Sequence, residues 1–537
     1  MKKNYVTKCV YSLITILALS IFSSGLAYGQ DETVTSGTTL EISQDTTYDS
    51  ITVEPGGVLQ VNSGVTLTLT DALTLNSSST LYSSLISDGT IVGTVNYNRH
   101  VNFAPGQGTG TTANDLISSP LSGMTFLDVR TANNNILSGL IGGEGPFYFF
   151  GPFDNITGNY VLFEETVDDA VVIESGLGYR SGSTDGGTYT FTGTPENGTI
   201  TQPITTPNGG TIFNLVGNPY PSYMSLSEFL ATNSAQLDQS GVAVYGYDGA
   251  SQNGWTIWNQ IQLLQNPDTV LAPGQGFMVP AIDGGGTITF NPNMRAVGDT
   301  DDFILGRQNA VINNIKLDLT SSSSNYSTDI YFTEFSSLGL DPGYDARVFN
   351  APDLLLFTQL VQESVGLSFA IQALGETDYG NTTVRLGVKA VQGEQITISM
   401  SENTLPSTTN VFLDDNVENT STLLNTSDFI ITPSTTLDGA SRFSIRFIDP
   451  SLSTLENIFD NLTIYTDDSH KTLVINGQIL EDTAVNIYDL QGRLVLKTKL
   501  QTSENSHSIS TSDFSTGVYV VQLTNNLQTK SQKVIIN

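Results

Sequence analysis

Cysteine is almost absent from this sequence of 537 residues, and the single one is Cys9, near the amino terminus. Disulfides, thiolate metal sites and cysteine nucleophiles are therefore excluded for the rest of the chain. Apolar residues make up 38% of the sequence, which at this length is enough to build sizeable cores. We expect the fold to be held by core burial rather than by covalent cross-links.

Basic residues are also scarce, with 20 Lys and Arg against 53 Asp and Glu and a formal net charge of -33. Proteins bind nucleic acid mainly through Lys and Arg, so this balance argues against nucleic acid as a partner. Histidine is limited to His100, His470 and His507. Nucleophile-elbow, zinc-helix and phosphate-loop motifs are missing, so we expect a protein that is not an enzyme.

Long apolar runs are missing except at the start of the chain. Three lysines precede an apolar run from Val10 to Phe22, and small residues follow it. This order is typical of a secretory signal peptide, here residues 1–29, and the run is short for a span of about 20 residues. We expect cleavage after Gly29, which makes Gln30 the first mature residue. Cleavage after Ala27 is the alternative, and no membrane span is expected after signal removal.

Short alternating runs punctuated by glycine fill residues 30–101, as in Val58-Leu59-Gln60-Val61. Alternation with period two indicates strands, and turns recur about every eight residues. Runs this short and this closely spaced predict rungs of a parallel β-solenoid, whose stacked turns share a thin core. The edge of an ordinary β-sandwich is the alternative.

Residues 102–310 are rich in aromatic residues and glycine and predict a second β domain. One helix is predicted there, because Ser225 and Glu228 have the spacing of a capping box. This helix should run to about Leu237. Alternation returns in residues 311–449, where the strand spacing predicts an antiparallel β-sandwich.

The acidic excess falls sharply near the carboxyl terminus, which indicates a further domain over residues 456–537 after a linker at 450–455. The sequence therefore predicts an all-β chain. It begins with a short solenoid-like segment, continues with sandwich-like domains, and ends with a small separate domain.

Three separated motifs occur in order in that last domain. They are Tyr488-Asp489-Leu490-Gln491-Gly492-Arg493, Gly517-Val518-Tyr519-Val520-Val521-Gln522-Leu523, and a final strand that begins at Lys533. This set closely resembles the C-terminal (Por-type) sorting domain of type IX secretion system cargo. The resemblance points to these residues as the sorting motif: Tyr488, Asp489, Gly492, Arg493, Gly517, Tyr519 and Lys533.

The resemblance implies an immunoglobulin-like sandwich and an export route. The signal peptide takes the chain to the periplasm, and the sorting domain directs it through the type IX machinery to the outer cell surface or the medium. The family's partners include a sortase-like peptidase and, for anchored cargo, surface lipopolysaccharide. One departure is that the usual opening "YPNP" lacks both prolines here, although Tyr465 is kept.

Asp299, Asp301 and Asp302 form a short cluster of oxygen ligands of the kind that Ca²⁺ takes. The cluster lacks the full spacing of an EF-hand, and solvated loop carboxylates are the alternative. We expect no other cofactor.

Trp255 and Trp258 are the two tryptophans of the chain. Positions three apart in a strand face opposite sides, so one should pack in a core while the other is exposed. An exposed tryptophan can stack on a sugar ring. Packing of both residues in the core is the alternative.

We therefore expect a secreted or cell-surface structural or adhesin-like protein. A carbohydrate-binding surface protein is the second hypothesis, with glycans or matrix as partners. A glycoside hydrolase is the third, since several acidic pairs, such as Asp414 and Asp415, are present. Neighbours in a strand point to opposite faces, however, so such doublets do not by themselves form a catalytic pair.

Deletion of everything after Pro450 tests the export route. We expect the shortened protein to remain in the periplasm of its native host while the full chain reaches the surface or medium. Cell fractionation with immunodetection measures this distribution. Equal export of both proteins would show that the last domain is only another sandwich.

Overall fold

The computed structural model describes residues 30–104, 114–141, 144–247, 255–301, 312–350, 352–449, 462–467, 469–477, 483–500, 506–525 and 529–536. Ala27, Gly29, Asp302 and the predicted linker 450–455 lie outside the described residues. The chain forms two compact units, the first ending at Phe447 and the second beginning at Ile448. Strands far outnumber helices, so the all-β prediction is confirmed. The finer boundaries at residues 101 and 310 stay predictions.

The first unit begins with a coil of short strands. They are β1 (Glu32–Val34), β2 (Thr39–Ile42), β3 (Thr46–Tyr48), β4 (Ile51–Val53), β5 (Val58–Val61), β6 (Thr66–Asn76), β7 (Ser84–Ser87) and β8 (Thr90–His100). β1, β4, β6 and β8 pair in parallel, and so do β2, β5 and β7. This arrangement is solenoid-like, as predicted.

The register of the parallel strands shows why the sequence coils. Ile51 pairs with Leu73, and Leu73 pairs with Val95, in steps of about 20 residues, the period of a solenoid. All three side chains are buried, and they belong to one core with the inward residues of β5 and β7. Each coil therefore buries its apolar residues against the next coil, which explains why the runs are so short.

The central part of the first unit contains many short strands. They are β9 (Asp115–Ser118), β10 (Leu121–Ser122), β11 (Ser138–Ile141), β12 (Glu144–Tyr148), β13 (Phe150–Gly151), β14 (Phe153–Asp154), β15 (Asn159–Tyr160), β16 (Phe163–Glu164), β17 (Gly178–Ser181), β18 (Thr188–Pro195), β19 (Ile200–Ile204), β20 (Phe213–Gly217), β21 (Tyr223–Ser225), β22 (Val244–Tyr247), β23 (Trp255–Trp258), β24 (Val270–Leu271), β25 (Gly276–Pro280), β26 (Gly286–Phe290) and β27 (Arg295–Ala296).

Two sheets and one hairpin of this central part carry most residues of the candidate site. β9, β17 and β13 form one antiparallel sheet. β20, β25, β22 and β23 form another. β14 and β15 pair with each other as the hairpin.

Helices α1 (Phe126–Ala132), α2 (Leu226–Asn233) and α3 (Gln260–Gln265) also lie in this part of the chain. Ser225 is the N-cap of α2, as predicted, and a 3₁₀ turn over Ser234–Gln236 follows the helix. The expectation of a single helix is wrong, because α1 and α3 are additional. α1 begins at a full capping box in which Thr125 and Asp128 bond each other's backbone N–H, and this short signal was missed.

The last coil of the solenoid joins the central part through β18. β8 pairs antiparallel with β18, whose other side pairs with β10. A row of polar side chains continues across this junction. Asn98 donates to Asn76 at 2.9 Å and accepts from the hydroxyl of Thr190 at 2.8 Å. These hydrogen bonds satisfy polar side chains that β18 covers. The last strand of the solenoid, β8, is therefore paired with β18 and is not left as an open sheet edge.

A buried ion pair lies at the same junction. The Nη1 atom of Arg99 is 3.1 Å from Oδ2 of Asp115, with 0% and 2% of the two side chains exposed. Arg99 Nε also donates to the carbonyl oxygen of Gly274 at 2.8 Å. One side chain of β8 therefore connects the solenoid to the start of β9 and to the turn before β25.

The rest of the first unit is one sheet. Its strands are β28 (Asn313–Thr320), β29 (Asn325–Thr333), β30 (Ala346–Arg347), β31 (Leu355–Gln359), β32 (Phe369–Gly375), β33 (Thr383–Ala390), β34 (Ile396–Asn403), β35 (Asn410–Asp415), β36 (Thr420–Leu423), β37 (Phe429–Ile431) and β38 (Leu437–Ile448). β29 and β32 are parallel, although an antiparallel sandwich was expected. Val411 and Ile396, near opposite edges, share one core, so the sheet curls over itself.

The second unit is a small two-sheet sandwich. Its strands are β39 (Thr463–Asp467), β40 (Thr472–Asn476), β41 (Thr483–Asp489), β42 (Leu494–Leu500), β43 (Ser506–Ser510), β44 (Gly517–Thr524) and β45 (Thr529–Ile536). One sheet has the order β39-β40-β43 and the other the order β42-β41-β44-β45. Leu473 and Ile475 of the first sheet pack with Ile487 and Val521 of the second in one core.

Replacing Asp115 by alanine tests the buried ion pair. We expect a loss of roughly 3–5 kcal/mol in the free energy of unfolding of the first unit, since the Arg99 charge stays buried without its counter-ion. Urea unfolding followed by tryptophan fluorescence measures this, because both tryptophans belong to this unit.

The control for that experiment is Asp353→Ala. Asp353 lies 3.7 Å from Lys389 but is 91% exposed, and exposed pairs contribute little because water screens them. Equal losses in the two variants would contradict the role given to the buried pair.

Candidate functional site

The two tryptophans occupy different environments in β23. Trp258 is 2% exposed and belongs to the core beneath α2, whereas Trp255 is only partly buried. Trp255 pairs in register with Tyr247 of β22, and the ring centroids are 5.4 Å apart. Trp255 also contacts Phe349, with the ring centroids 4.2 Å apart. Trp255 is therefore the tryptophan that is available at the surface.

Trp255 lines a cleft with a volume of about 440 Å³, within the roughly 300–1,000 Å³ of typical ligand pockets. We call this the aromatic cleft, because its described lining contains five aromatic rings: Phe153, Tyr160, Tyr247, Trp255 and Phe349. These rings belong to one larger apolar cluster, whose buried residues support the cleft.

A hairpin forms one wall of the aromatic cleft. Phe153 of β14 pairs with Tyr160 of β15, and the ring centroids are 5.2 Å apart. The turn between them is ordered by Asp154, which accepts from the N–H of Ile156 at 2.9 Å and from the hydroxyl of Thr157 at 2.8 Å. The hydrogen bond from the Thr157 hydroxyl, the largest cause, lowers the pKa of Asp154, so the ionised carboxylate stabilises the turn.

Polar side chains at the aromatic cleft are uncharged. Asn114, Thr211 and Asn350 line it, together with Gly158, and none of its described lining residues is acidic or basic. Amide and hydroxyl groups can donate and accept hydrogen bonds at once, which suits them to sugar hydroxyls. The cleft therefore combines ring faces for stacking with neutral hydrogen-bonding groups.

An arginine lies directly beside this wall. The Cζ atom of Arg180 on β17 is 4.5 Å from the centroid of Tyr160 and 4.0 Å from that of Phe149. Burial lowers the pKa of Arg180 and raises that of Tyr160, so a protonated guanidinium faces a neutral phenol. The sequence did not single out Arg180, Phe153, Tyr160 or Phe349, because residues so far apart in sequence give no shared pattern.

The acidic pair Asp414 and Asp415 is held in structural contacts. Asp414 bonds Arg446 at 2.7 Å, and Asp415 bonds Arg442 at 2.7 Å, so these neighbours on β35 have separate partners. Burial opposes ionisation, but the arginine hydrogen bonds outweigh it and lower the pKa of both carboxyl groups. A glycosidase acid must be protonated near neutral pH, so neither residue is suited to that role.

Two described carboxyl groups, Asp329 and Asp345, have raised pKa values, and that of Asp345 lacks access to solvent. Burial raises the pKa of Asp345 to about 7, and its side chain is 0% exposed. Its oxygens accept from the N–H groups of Asp341 at 2.7 Å and Ala373 at 2.8 Å. Asp345 is therefore a structural residue of the turn before β30.

The predicted calcium cluster is only partly within the described residues. Asp299 is exposed and Asp301 is partly buried, while Asp302 is outside the described part of the chain. Within that part, no group of three or more acidic, histidine or cysteine residues is placed to hold a metal ion. The calcium site stays a prediction.

The predicted sorting motif forms a tight turn between β41 and β42. Gly492 has a φ of +78°, a conformation that glycine adopts without strain. Asp489 accepts from the backbone N–H of Arg493 at 3.0 Å and from its Nε at 2.7 Å. The first of these bonds is the largest cause that lowers the pKa of Asp489. The shape of the turn thus follows from one carboxylate and one glycine.

The other motif residues lie on β41, β44 and β45. Tyr488 lies near the end of β41, next to the turn, and Gly517 is the first residue of β44. Lys533 is exposed on β45, where it pairs with Val520. The hydroxyl of Tyr519 donates to the carbonyl oxygen of Ser515 at 2.8 Å. These contacts build the sandwich, and a role in recognition stays a prediction for each residue.

Comparison with known families identifies the family of the second unit. Residues 463–537 match the family described as "Secretion system C-terminal sorting domain". The protein is therefore a type IX secretion cargo protein, as the sequence predicted. Residues 30–447, more than half of the chain, match the family described as "Domain of unknown function (DUF8693)", and the chain belongs to that family.

The other comparisons add little. No curated protein matches the sequence. Among solved structures, "Biofilm associated protein - BSP domain" is similar at 8% identity and a TM-score of 0.13, covering 79% of this chain and 90% of that chain. "Crystal structure of tetra-tandem repeat in extending region of large adhesion protein" has 10% identity and a TM-score of 0.11, with 51% and 90% covered. TM-scores this low carry no argument about the present chain.

No helix among the described residues is both long enough and apolar enough to cross a membrane.

Fluorescence quenching tests the different exposure of the two tryptophans. We expect acrylamide to quench the Trp258→Phe protein, which retains Trp255, several-fold more strongly than the Trp255→Phe protein. The reason is that Trp255 lies at the aromatic cleft and Trp258 in a core. Equal quenching constants would contradict the described position of Trp255.

Proposed function

We propose that this protein is an adhesin-like surface protein that binds carbohydrate chains in the aromatic cleft. The observation that carries the proposal is the cleft itself, in which Trp255 and four other rings meet uncharged amide and hydroxyl groups. Sugar rings have apolar faces and hydroxyl edges, and such a lining matches both. The type IX sorting domain brings the protein to the place where external glycans are met.

A purely structural surface protein is the simpler interpretation of the same fold. It gives no reason for a cleft of this size to carry partly exposed rings at Trp255, Phe349 and Tyr160. Large apolar groups at a surface concavity are typical of binding sites. Hydrolysis is less supported, because the aromatic cleft lacks an acidic residue in its described lining.

The finer steps of export belong to the same proposal. We infer that the signal peptide takes the chain to the periplasm and that the sorting domain is removed by a sortase-like peptidase at the surface. The turn at Gly492 and the exposed Lys533 are features that the machinery can contact. Attachment to surface lipopolysaccharide and release into the medium are both compatible with this route.

Replacing Trp255 by alanine tests carbohydrate binding. The exported protein is screened on an array of neutral and acidic glycans, and affinities for the bound glycans are then measured by calorimetry. We expect Trp255→Ala to weaken binding roughly tenfold, since an aromatic contact contributes about 0.5–1.5 kcal/mol beyond its burial.

The matched control is Phe335→Ala. Phe335 is 51% exposed and stacks on Tyr344, outside the described lining of the aromatic cleft. This variant should bind as the unmodified protein does. Absence of binding to every glycan, or equal losses in the two variants, would contradict the proposal.

A further inference from the structure

The arginines of the first unit are nearly all paired with carboxylates. Six of its described arginines lie within 4 Å of an aspartate: Arg99, Arg130, Arg295, Arg347, Arg442 and Arg446. In the described part of this unit, Arg180 and Arg385 have no such partner. Arg385 is exposed to water, whereas Arg180 is mostly buried. Arg180 is therefore the exception that needs a physical reason.

Burial of an unpaired guanidinium costs free energy. The Nε atom of Arg180 is buried without a hydrogen-bond partner among the described residues. The rings of Phe149 and Tyr160 offset part of this cost through cation–π contacts at 4.0 and 4.5 Å. Ring contacts do not replace a hydrogen bond or a counter-charge, however, and acidic residues are abundant in this chain. The protein thus buries the guanidinium of Arg180 without a carboxylate partner among the described residues.

The position of Arg180 connects it to the aromatic cleft. Tyr160 is shared, since it lines the cleft and also contacts the guanidinium. On β17, Arg180 pairs with Gly151 of β13 on one side and with Leu116 of β9 on the other. Both strands that pair with β17 lead to residues that line the cleft. Phe153 follows Gly151 by two residues, and Asn114 precedes Leu116 by two residues.

We propose that Arg180 makes the aromatic cleft selective for acidic carbohydrates, whose sugars carry a carboxylate. This inference rests on the proposed carbohydrate binding and specifies its ligand class. The guanidinium is planar and presents its N–H groups in a fork that matches a carboxylate. Two flanking rings hold it in place, so little side-chain freedom is lost when an anion binds.

The charge of the whole protein explains why a local cation is needed. A chain with a net charge of -33 repels polyanions at long range. Most arginines that could attract an anion are already neutralised by aspartates. An acidic glycan is therefore bound only where an unpaired cation and stacking surfaces occur together. Among the described residues, Arg180 beside Tyr160 provides this combination.

The test compares ligands first, so that it does not depend on any variant. Oligosaccharides of galacturonic acid and of glucuronic acid are measured beside their carboxyl-reduced counterparts, which have the same linkages and no charge. Calorimetry with the exported protein should show a preference of about tenfold for the acidic members, because charged hydrogen bonds are stronger than neutral ones.

Variants then assign the preference to one side chain. Arg180→Gln should bind acidic and neutral members equally, and Trp255→Ala should weaken the binding of both. Arg385→Gln removes an arginine that is also unpaired but exposed, and it should keep the preference. If Arg180→Gln does not fold, Arg180→Lys serves in its place, with a reduced preference expected because lysine lacks the planar fork.

The outcomes separate the two proposals. Equal binding of acidic and neutral members by the unmodified protein overturns the role of Arg180 and leaves carbohydrate binding standing. A preference that persists in Arg180→Gln also overturns it. Absence of binding to every probe and to the neutral glycans of the array overturns carbohydrate binding, and the selectivity with it.

Discussion

The buried ion pair between Arg99 and Asp115 is the interaction on which the arrangement of the first unit depends. It joins the last strand of the solenoid to the first strand of the sheet that carries Arg180. The same arginine holds the carbonyl oxygen of Gly274, in the turn before a strand of the second sheet. Without disulfides, charged and polar junctions of this kind fix how one sheet meets the next, while apolar cores supply most of the stability.

The positions of several residues at the aromatic cleft depend on that junction. Asp115 comes directly after Asn114, which lines the cleft, and its strand is paired with the strand of Arg180. On the opposite side, Trp255 is fixed by its register with Tyr247. Four of the five rings are therefore placed by backbone pairing, whereas Phe349 lies in a bend just after β30. A site built mainly on strands is suited to binding without large rearrangement.

Local sequence patterns were sufficient to predict the class of the fold and the structure of the segments that have a short repeat or motif. Alternation predicted the strands of the solenoid, and Ser225 predicted the start of α2. The motif from Tyr488 to Arg493 indicated the sorting domain, which the family comparison confirms. In each case the physical cause acts within one coil, one turn or one hairpin, so neighbouring residues carry the information.

Features that depend on distant residues were not accessible in this way. The parallel pairing of β29 with β32 and the curling of one sheet into a shared core arise from long-range packing. At the site, Trp255 could be singled out because tryptophan is rare in this chain. Phe153, Tyr160, Arg180 and Phe349 could not, since their common feature is their position in space. The helix at Thr125 was missed although its capping box is local, because Asp128 stands where the usual capping box has Glu or Gln.

The division of the chain at Phe447 has a consequence for how such proteins diversify. Every described residue of the aromatic cleft belongs to the first unit, while the sorting motif lies wholly in the second. The sorting domain and the proposed binding site thus lie in modules that can be exchanged separately. A lineage can change the ligand of the first module while keeping the same export tail, and a foreign domain can be displayed by fusion to that tail.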